Sequence, residues 1–448
     1  CLALFLIIAA NFYYVLPIDS SKTSSEAVPV AVETESFEQN PVTIVPESED
    51  YQPNALSSFK TRLYFLDSLR IFLTISVVCH HVTCNFSQAA CFFYPFVFPD
   101  YFERGYSLFS YIYLDLQQSY FMSLFFFISG HLTPASFERK GTYKFLKDKF
   151  QRFGVPLLAF SFGLTPLLEL FVRKVVLRTT AKDGEYSSWH YRVILGPLWF
   201  LLLLLFFNCA YAAVELLRKG KPHIKLPLPS FRGFTLFGTM LGFVMGCLSV
   251  LIGESSFIQI PLFWVYLPPY CLFFAGGVIA KQNDWLKTLP EQSRTTRACI
   301  YSSCAVAALC ISALWAARVY SEIPDMAFVL VSYTFKGIFA VMASLSLLRL
   351  FSLTLNLTNV FIKFLSDASY TVYLIHGWTL TLVTWTFAQI LMAYGEDLFL
   401  DAFATKETPL SGYYLVLIGG VYTGLTSIPL TWAISWILCK SPGMSKIL

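Results

Sequence analysis

Residues 63–83 have the sequence LYFLDSLRIFLTISVVCHHVT, a largely apolar run that also contains Asp67, Arg70, His80 and His81. A helix needs about 20 apolar residues to cross the hydrocarbon core of a bilayer, so this run predicts a spanning helix. An ionisable group inside such a helix is costly and by default marks a functional site. The stretch therefore predicts a membrane protein and also indicates where its chemistry lies.

The spacing of the ionisable residues predicts a shared helix face. Arg70 and His81 are eleven residues apart, which at about 100° per residue places them on one face, about 16 Å apart along the axis. Asp67 lies three residues before Arg70, in position to form an ion pair with it. His80 points about 100° away, and we expect it to be a bystander. An imidazole can take a proton from a hydroxyl near neutral pH, so His81 is a candidate general base.

The composition of the whole chain supports the membrane interpretation. Of its 448 residues, 56% are hydrophobic and 13% are charged, whereas an ordinary soluble domain has about 25% charged residues. A chain this poor in charge has too little polar surface to cover a water-facing exterior. The formal net charge of +4 is too small to suggest a nucleic-acid partner. We predict an all-α, polytopic membrane protein.

Ten segments are long and apolar enough to be spanning helices, which predicts a bundle of about ten transmembrane helices. The predicted spans are 63–83, 107–132, 155–172, 197–217, 233–253, 260–281, 298–318, 327–350, 367–393 and 411–439.

Three regions follow from the pattern of polarity. Residues 1–17 are hydrophobic, and we expect an extra transmembrane helix or the remnant of a signal peptide at a truncated N-terminus. Residues 18–59 are polar, acidic and rich in Ser, Pro and Glu, which predicts a disordered linker. Residues 60–448 form the predicted ten-helix membrane domain.

The loop charges predict a topology. The loops after spans two, four and six are rich in Lys and Arg, and Arg349 and Lys363 follow span eight. Short cytoplasmic loops gather positive charge, so we expect both ends of the ten-helix unit to be cytoplasmic, in a membrane that the sequence does not identify. The basic segment from Arg173 to Arg192 disagrees, because this topology places it outside.

The cysteines and the first outer loop give two smaller expectations. Most of the 11 cysteines lie in apolar runs and show no zinc-type spacing, so we expect no metal. Cys84 and Cys91 share the first outer loop, where an oxidising compartment would permit a disulfide. Asn85-Phe86-Ser87 is a glycosylation sequon close to the membrane.

A second chemical signal is FFFISGHLTPASFERKGTYKFLKDKFQRFGVPLL, residues 125–158. Ser129-Gly130 offers a place where two backbones can approach closely. The basic stretch that follows has two interpretations: a positive loop that meets anionic lipid, or a site for the phosphates of a nucleotide-type donor. Its candidate phosphate ligands are Arg139, Lys140, Lys149 and Arg152.

Further ionisable groups lie in other predicted spans. His376 lies near Tyr370 and Tyr373 in SDASYTVYLIHGW, residues 366–378. Two interpretations of His376 remain open: a catalytic role and a packed position in the core. Asp115, Glu169 and Lys336 are other candidate intramembrane charges, and Lys336 is available to neutralise one of the two acids.

These stretches resemble the acyltransferase 3 family of integral membrane acyltransferases. The family's hallmark of an Arg, ten residues and a His in the first helix is matched by Arg70 and His81. Lys149 and Arg152 are similar to a family motif of two arginines separated by two residues. Lysine replaces the first arginine, which keeps the positive charge but loses the guanidinium's ability to form two parallel hydrogen bonds. Leu198-Trp199-Phe200 resembles the family's Leu-Trp-Phe motif. Tyr370, Tyr373 and His376 resemble the tyrosines and histidine of its last motif.

The resemblance, over roughly residues 60–440, implies transfer of an acyl group, commonly acetyl, from acyl-CoA to a hydroxyl of a carbohydrate or lipid-linked glycan. It implies that His81 is the base or a transient acyl carrier and that Arg70 orients it or binds the donor. It also implies that Lys149 and Arg152 hold CoA phosphates.

Two other classes compete with this interpretation. A transporter or lipid flippase would line a permeation path with the same charges, but such proteins often have two matched halves, and no such pairing is visible. A receptor or scaffold without chemistry leaves the alignment of Arg70 with His81 unexplained.

Overall fold

The structure is a computed structural model that describes residues 63–87, 104–176, 195–253, 256–257, 260–321, 323–356, 358–398 and 410–442. The predicted segments 1–17 and 18–59 lie outside the described residues. The chain divides into two units after Leu63, and the architecture below is that of the second unit, Tyr64–Leu448.

Helices account for nearly all regular structure in the described part of the chain, so the all-α prediction is confirmed. The α-helices are α1 (Tyr64–Asn85), α2 (Arg104–Lys149), α3 (Val155–Ala159), α4 (Thr165–Phe171), α5 (Trp199–Arg218), α6 (Phe231–Ile252), α7 (Leu267–Gln282), α8 (Trp285–Thr288), α9 (Arg294–Tyr320), α10 (Asp325–Thr354), α11 (Val360–Leu398) and α12 (Leu410–Lys440). A short antiparallel hairpin, β1 (Ser256–Phe257) and β2 (Ile260–Phe263), precedes α7.

Among the described residues, seven helical segments are long and apolar enough to cross a membrane. This confirms a multi-pass membrane protein and makes the predicted number of ten approximate. One reason is that two predicted spans, 107–132 and 155–172, fall on a single helical path, Leu108–Phe171. Another is that α7 has only 16 residues.

The path from α2 to α4 bends at glycine and proline. Gly141 has φ 69° and ψ 166° inside α2, a conformation that glycine adopts without a steric penalty. Single π-helical turns, Phe150–Gly154 and Phe160–Leu164, come directly before α3 and α4. Each of these short helices has a proline, Pro156 or Pro166, in its first turn. Because the preceding residues are already helical, the missing N–H interrupts the hydrogen-bond pattern of the path.

Helix α1 is central to the bundle. Of the seven candidate spans it has the largest buried share, 67% of its central window, and it contacts α2, α10, α11 and α12. Its apolar face joins a buried cluster with α11 and α12 that includes Val78, Phe86, Val372, Leu380 and Trp432. The ionisable residues of α1 are therefore held inside a packed group of helices.

Glycines set the closest helix crossings. A Cβ built on Gly130 of α2 would overlap the carbonyl oxygen of Phe274 of α7, and one on Gly277 of α7 would overlap the backbone of α2. The close approach predicted at Ser129-Gly130 is therefore confirmed. Gly337 of α10 packs in the same way against the backbone of α6 at Gly238 and Gly242.

Candidate functional site

Arg70 and His81 both contact α11. The guanidinium of Arg70 donates to Ser366 Oγ at 3.0 Å, and the imidazole of His81 stacks on that of His376 with ring centroids 5.2 Å apart and 30° between the planes. The two side chains therefore lie on the face of α1 that packs against α11, as their spacing predicts. Because Ser366 precedes His376 along α11 as Arg70 precedes His81, the two helices run in the same direction.

The Arg70 end of this face is organised by a short polar network. Arg70 also donates to Asp67 Oδ1 at 2.8 Å, the ion pair that the spacing predicts. The start of α1 is tied to the end of α10, because the Phe65 N–H donates to Asn356 Oδ1 at 3.2 Å. The Arg70 side chain keeps 35% of its surface exposed, so the guanidinium combines a fixed position with access from outside the core.

The His81 end is more deeply buried. His376 has no exposed surface, and its Nδ1 lies 2.6 Å from the carbonyl oxygen of Tyr373. A carbonyl only accepts, so Nδ1 is the donor and carries the hydrogen, which places the lone pair of the neutral ring on Nε2. The hydroxyl of Thr379 donates to the carbonyl oxygen of His376 at 3.0 Å. The tautomer and orientation of His376 are thus set by the backbone of α11.

His80 lies off this face. It is buried and packs on Phe121 of α2, with ring centroids 5.1 Å apart and 30° between the planes. Its ring also meets that of His81 edge-on, at 5.4 Å and 90°. His80 therefore packs toward α2, whereas His81 contacts α11, which fits the angle of about 100° between consecutive helical residues.

The other motif residues converge on α11. The Tyr373 hydroxyl donates to the carbonyl oxygen of Pro197, and its ring packs on Phe200 at 5.4 Å, which brings the Leu198-Trp199-Phe200 motif next to His376. The Tyr370 hydroxyl donates to the carbonyl oxygen of Arg152. All four stretches noted in the sequence therefore meet along a single helix.

The four candidate phosphate ligands differ in their surroundings. Lys149 Nζ lies 5.3 Å from the ring centroids of both Phe145 and Phe153, an arrangement typical of cation–π contacts. The side chains of Arg139 and Arg152 are exposed. Lys140 forms an ion pair with Asp148 at 2.7 Å, so its charge is already balanced. Of the four, Arg152 meets α11, since its carbonyl oxygen accepts from Tyr370.

The sequence did not identify two features of the interior. Ser366 accepts a hydrogen bond from Arg70. The sequence feature that could have indicated this contact is the position of Ser366 ten residues before His376. Lys336 was a candidate for neutralising either Asp115 or Glu169, and the structure pairs its Nζ with Asp115 Oδ1 at 2.7 Å.

The end of α1 beyond His81 contains the predicted glycosylation sequon and one cysteine of the predicted disulfide. Asn85 is only 1% exposed, and its Nδ2, the atom that a glycan would modify, donates to Thr384 Oγ1 at 3.4 Å. The sequon is therefore not accessible in the folded protein. Cys84 is disulfide-bonded, and its predicted partner Cys91 lies outside the described residues, as does most of the basic segment from Arg173 to Arg192.

The prediction that no metal is bound was made for the whole chain, and the structure bears on it only for the described residues. Among them, no group of three or more His, Cys, Asp or Glu side chains is arranged to hold a metal ion.

Comparison with protein families identifies the chain. A family model described as an acyltransferase domain, of the acyltransferase 3 type, matches residues 63–438. The chain belongs to the acyltransferase 3 family. It is therefore a membrane acyltransferase, which transfers groups other than amino-acyl groups. No curated protein and no solved structure shows significant similarity to this acyltransferase.

Proposed function

We propose that this acyltransferase moves an acetyl group from acetyl-CoA to a hydroxyl of a carbohydrate or lipid-linked glycan. One observation carries the proposal: His81 stacks on His376 of α11, while Arg70, three helical turns away, binds Ser366 of the same helix. This supports a proton acceptor and a cation along one helix contact. Arg152 meets Tyr370 of the same helix, and Lys149 packs on the neighbouring Phe153.

The chemistry assigned to His81 is proton transfer. His81 takes the proton of the acceptor hydroxyl while the hydroxyl oxygen attacks the thioester carbonyl. The new C–O bond forms, the C–S bond breaks, and the proton passes from the imidazole to the departing thiolate. Covalent transfer through an acyl-imidazole on His81 is the alternative route for the same overall reaction. In both routes the stacked, fully buried ring of His376 holds His81 in position.

The donor is assigned to the cationic side chains. Arg70 provides a guanidinium that suits a phosphate or the developing charge on the thioester. Lys149 and Arg152 hold phosphates of CoA, with Lys149 as a point charge because it lacks the arginine fork. Arg139 contributes to the positive field around them, whereas the charge of Lys140 is balanced by its ion pair with Asp148.

The proposed orientation has the Arg70 end of α1 toward the cytoplasm, and both ends of the ten-helix unit on that side. The basic loops after the second, fourth and sixth predicted spans support this orientation. The disulfide of Cys84, at the opposite end of α1, is consistent with an oxidising compartment there. The donor then enters from the cytoplasm, and the acceptor reaches His81 from within the membrane or beyond it.

The test uses purified protein and acetyl-CoA labelled in the acetyl group. We expect His81→Ala to lower acetyl-CoA consumption about 10²–10⁴-fold, the usual contribution of a general base. His80→Ala is the matched control, since it removes a neighbouring buried imidazole that lies off the α11 contact, and it should retain most activity. Equal turnover by His81→Ala and the wild type would remove the proposed role of His81.

The acceptor class has its own test. Mass spectrometry of glycans and lipids from cells with and without the gene should show an acetyl ester that depends on an intact His81. A change confined to transport, with no ester gained or lost, contradicts the proposed acceptor while leaving the family assignment unaffected.

A further inference from the structure

Arg349 is a buried cation on the side of α10 that faces away from the proposed active site. Arg349 was counted with the charges that follow the eighth span, although the predicted span, 327–350, includes it, and that count is wrong. Helix α10 continues to Thr354, so Arg349 lies inside it, and the residue is only 6% exposed. Phe351, two residues later, packs on Phe72 of α1 with ring centroids 5.5 Å apart, whereas Arg349 faces α9.

The partners of Arg349 do not balance its charge. Its Nη1 donates to the Tyr301 hydroxyl at 3.0 Å, and its Nε is buried without an acceptor. Among the described residues it forms no ion pair. A guanidinium stays protonated in proteins, so a positive charge is buried here with one neutral hydrogen-bond partner.

The neighbouring turn of α9 adds a second guanidinium. Helices α9 and α10 run antiparallel, because Cys304 meets Ser346 and Tyr301 meets Arg349 one turn further on. Arg297 lies four residues before Tyr301, on the same face of α9, and its Nε is also buried without an acceptor. Arg297 therefore lies one helical turn beyond Tyr301 on the face of α9 that meets α10, toward the C-terminal end of α10.

Burial of an arginine without a counter-ion is strongly unfavourable. The dipole of α10 favours a cation near its C-terminus, but it amounts to about half a charge and weakens within the last turn, and Arg349 lies five residues before the last helical residue, Thr354. A phosphate group supplies both the negative charge and several acceptor oxygens for two guanidinium groups.

The position of α9 favours a lipid as the source of the phosphate. This helix is peripheral, with only 28% of its apolar window buried, and its exposed side chains include Val306 and Leu309. Basic pockets between transmembrane helices bind the head groups of anionic lipids. We propose that Arg349, Arg297 and Tyr301 bind the phosphate of an anionic phospholipid between α9 and α10.

The test measures the melting temperature of the full chain in nanodiscs of phosphatidylcholine, of phosphatidylcholine with phosphatidylglycerol, and of phosphatidylcholine with inorganic phosphate. We expect phosphatidylglycerol to raise the wild-type melting temperature by about 3 °C. Arg349→Met should melt higher than the wild type in phosphatidylcholine, because the buried charge is gone, and it should not respond to phosphatidylglycerol. A response to inorganic phosphate but not to phosphatidylglycerol supports the phosphate site with a free anion as its source.

Two further variants keep the test decisive. Arg232 of α6 is exposed, and Arg232→Gln should keep the wild-type response to phosphatidylglycerol. Arg297→Gln should reduce the response to phosphatidylglycerol. If Arg349→Met does not fold, this variant tests whether the lipid binds at the two arginines. A wild type that responds to neither phosphate source overturns the proposal. So does an Arg349→Met variant that responds like the wild type, or a loss of response in Arg232→Gln as large as in Arg349→Met.

Discussion

Helix α10 buries two cations, Lys336 and Arg349, that are equally hidden and differ in their partners. Each is 6% exposed, and they lie 13 residues apart. Lys336 forms an ion pair with Asp115 at 2.7 Å and lies 4.1 Å from the centroid of the Tyr333 ring. The second carboxylate oxygen of Asp115 accepts from Trp315 Nε1 at 2.7 Å. Arg349 has the Tyr301 hydroxyl as its one side-chain partner among the described residues.

The comparison separates two uses of a buried charge. The Lys336 group is complete within the protein, because a cation, an anion and an indole donor satisfy one another, and such a network fixes the packing of α2, α9 and α10. Among the described residues the Arg349 group has no anion, and in our proposal a lipid phosphate completes it. Burial alone therefore does not distinguish a structural charge from a binding site, whereas a count of the partners does.

The largest expected effect breaks the complete network. Lys336→Met should destabilise the protein by about 3–5 kcal/mol, because it leaves the Asp115 carboxylate buried without its counter-ion. Unfolding in detergent or nanodiscs, followed by intrinsic fluorescence, measures the change. The sign should be opposite to that of Arg349→Met in neutral lipid, although both replace a buried cation on α10 with methionine.

The control for this prediction is the double variant Asp115→Leu/Lys336→Met, which removes both charges and should recover most of the lost stability. A single Lys336→Met variant as stable as the wild type would show that Asp115 does not need Lys336. The contrast between the two cations would then be lost.

A smaller effect is expected from the third member of the same network. In the wild type the Trp315 and Tyr111 ring centroids are 4.9 Å apart. Trp315→Phe keeps an aromatic ring for this stacking but removes the indole N–H that donates to Asp115. We expect a loss of about 2 kcal/mol in the free energy of unfolding, because the hydrogen bond goes to a charged group in a buried site.

The matched control is Trp285→Phe. The Trp285 indole donates to the carbonyl oxygen of Leu226 at 2.9 Å in an exposed setting, so water can replace the lost donor and the cost should stay below about 1 kcal/mol. Equal losses in the two variants would mean that the Asp115 hydrogen bond contributes no more than a surface hydrogen bond.

Much of the architecture could be predicted from local sequence. Length and apolar character identified the regions that become helices, and the angle of 100° per residue correctly placed Arg70 and His81 on a common face of α1. The Asp67–Arg70 ion pair followed from the same geometry, because both residues belong to one helix. These features depend on neighbours along the chain.

The features that could not be predicted depend on which helices meet. Nothing local to α1 indicates that its polar face meets Ser366 and His376 of α11, and nothing near Lys336 selects Asp115 over Glu169. Arg349 was counted with the charges after the eighth span although the predicted span, 327–350, includes it, and α10 continues for five residues beyond it. Its environment depends on Tyr301, a residue of another helix.

The smallest expected effect concerns Tyr301, the hydrogen-bond partner of Arg349, and it refines the comparison of Arg349 with Lys336. Tyr301→Phe removes the hydroxyl that accepts from Arg349 but keeps the aromatic ring. In nanodiscs that contain phosphatidylglycerol we expect a loss of about 1 kcal/mol, since phosphate oxygens still accept from the guanidinium. In phosphatidylcholine alone the loss should be larger, because Arg349 then has no acceptor among the described side chains. Chemical unfolding in the two lipids measures both values. Equal losses would mean that no phosphate reaches Arg349, and the two cations of α10 would then differ in their partners without differing in function.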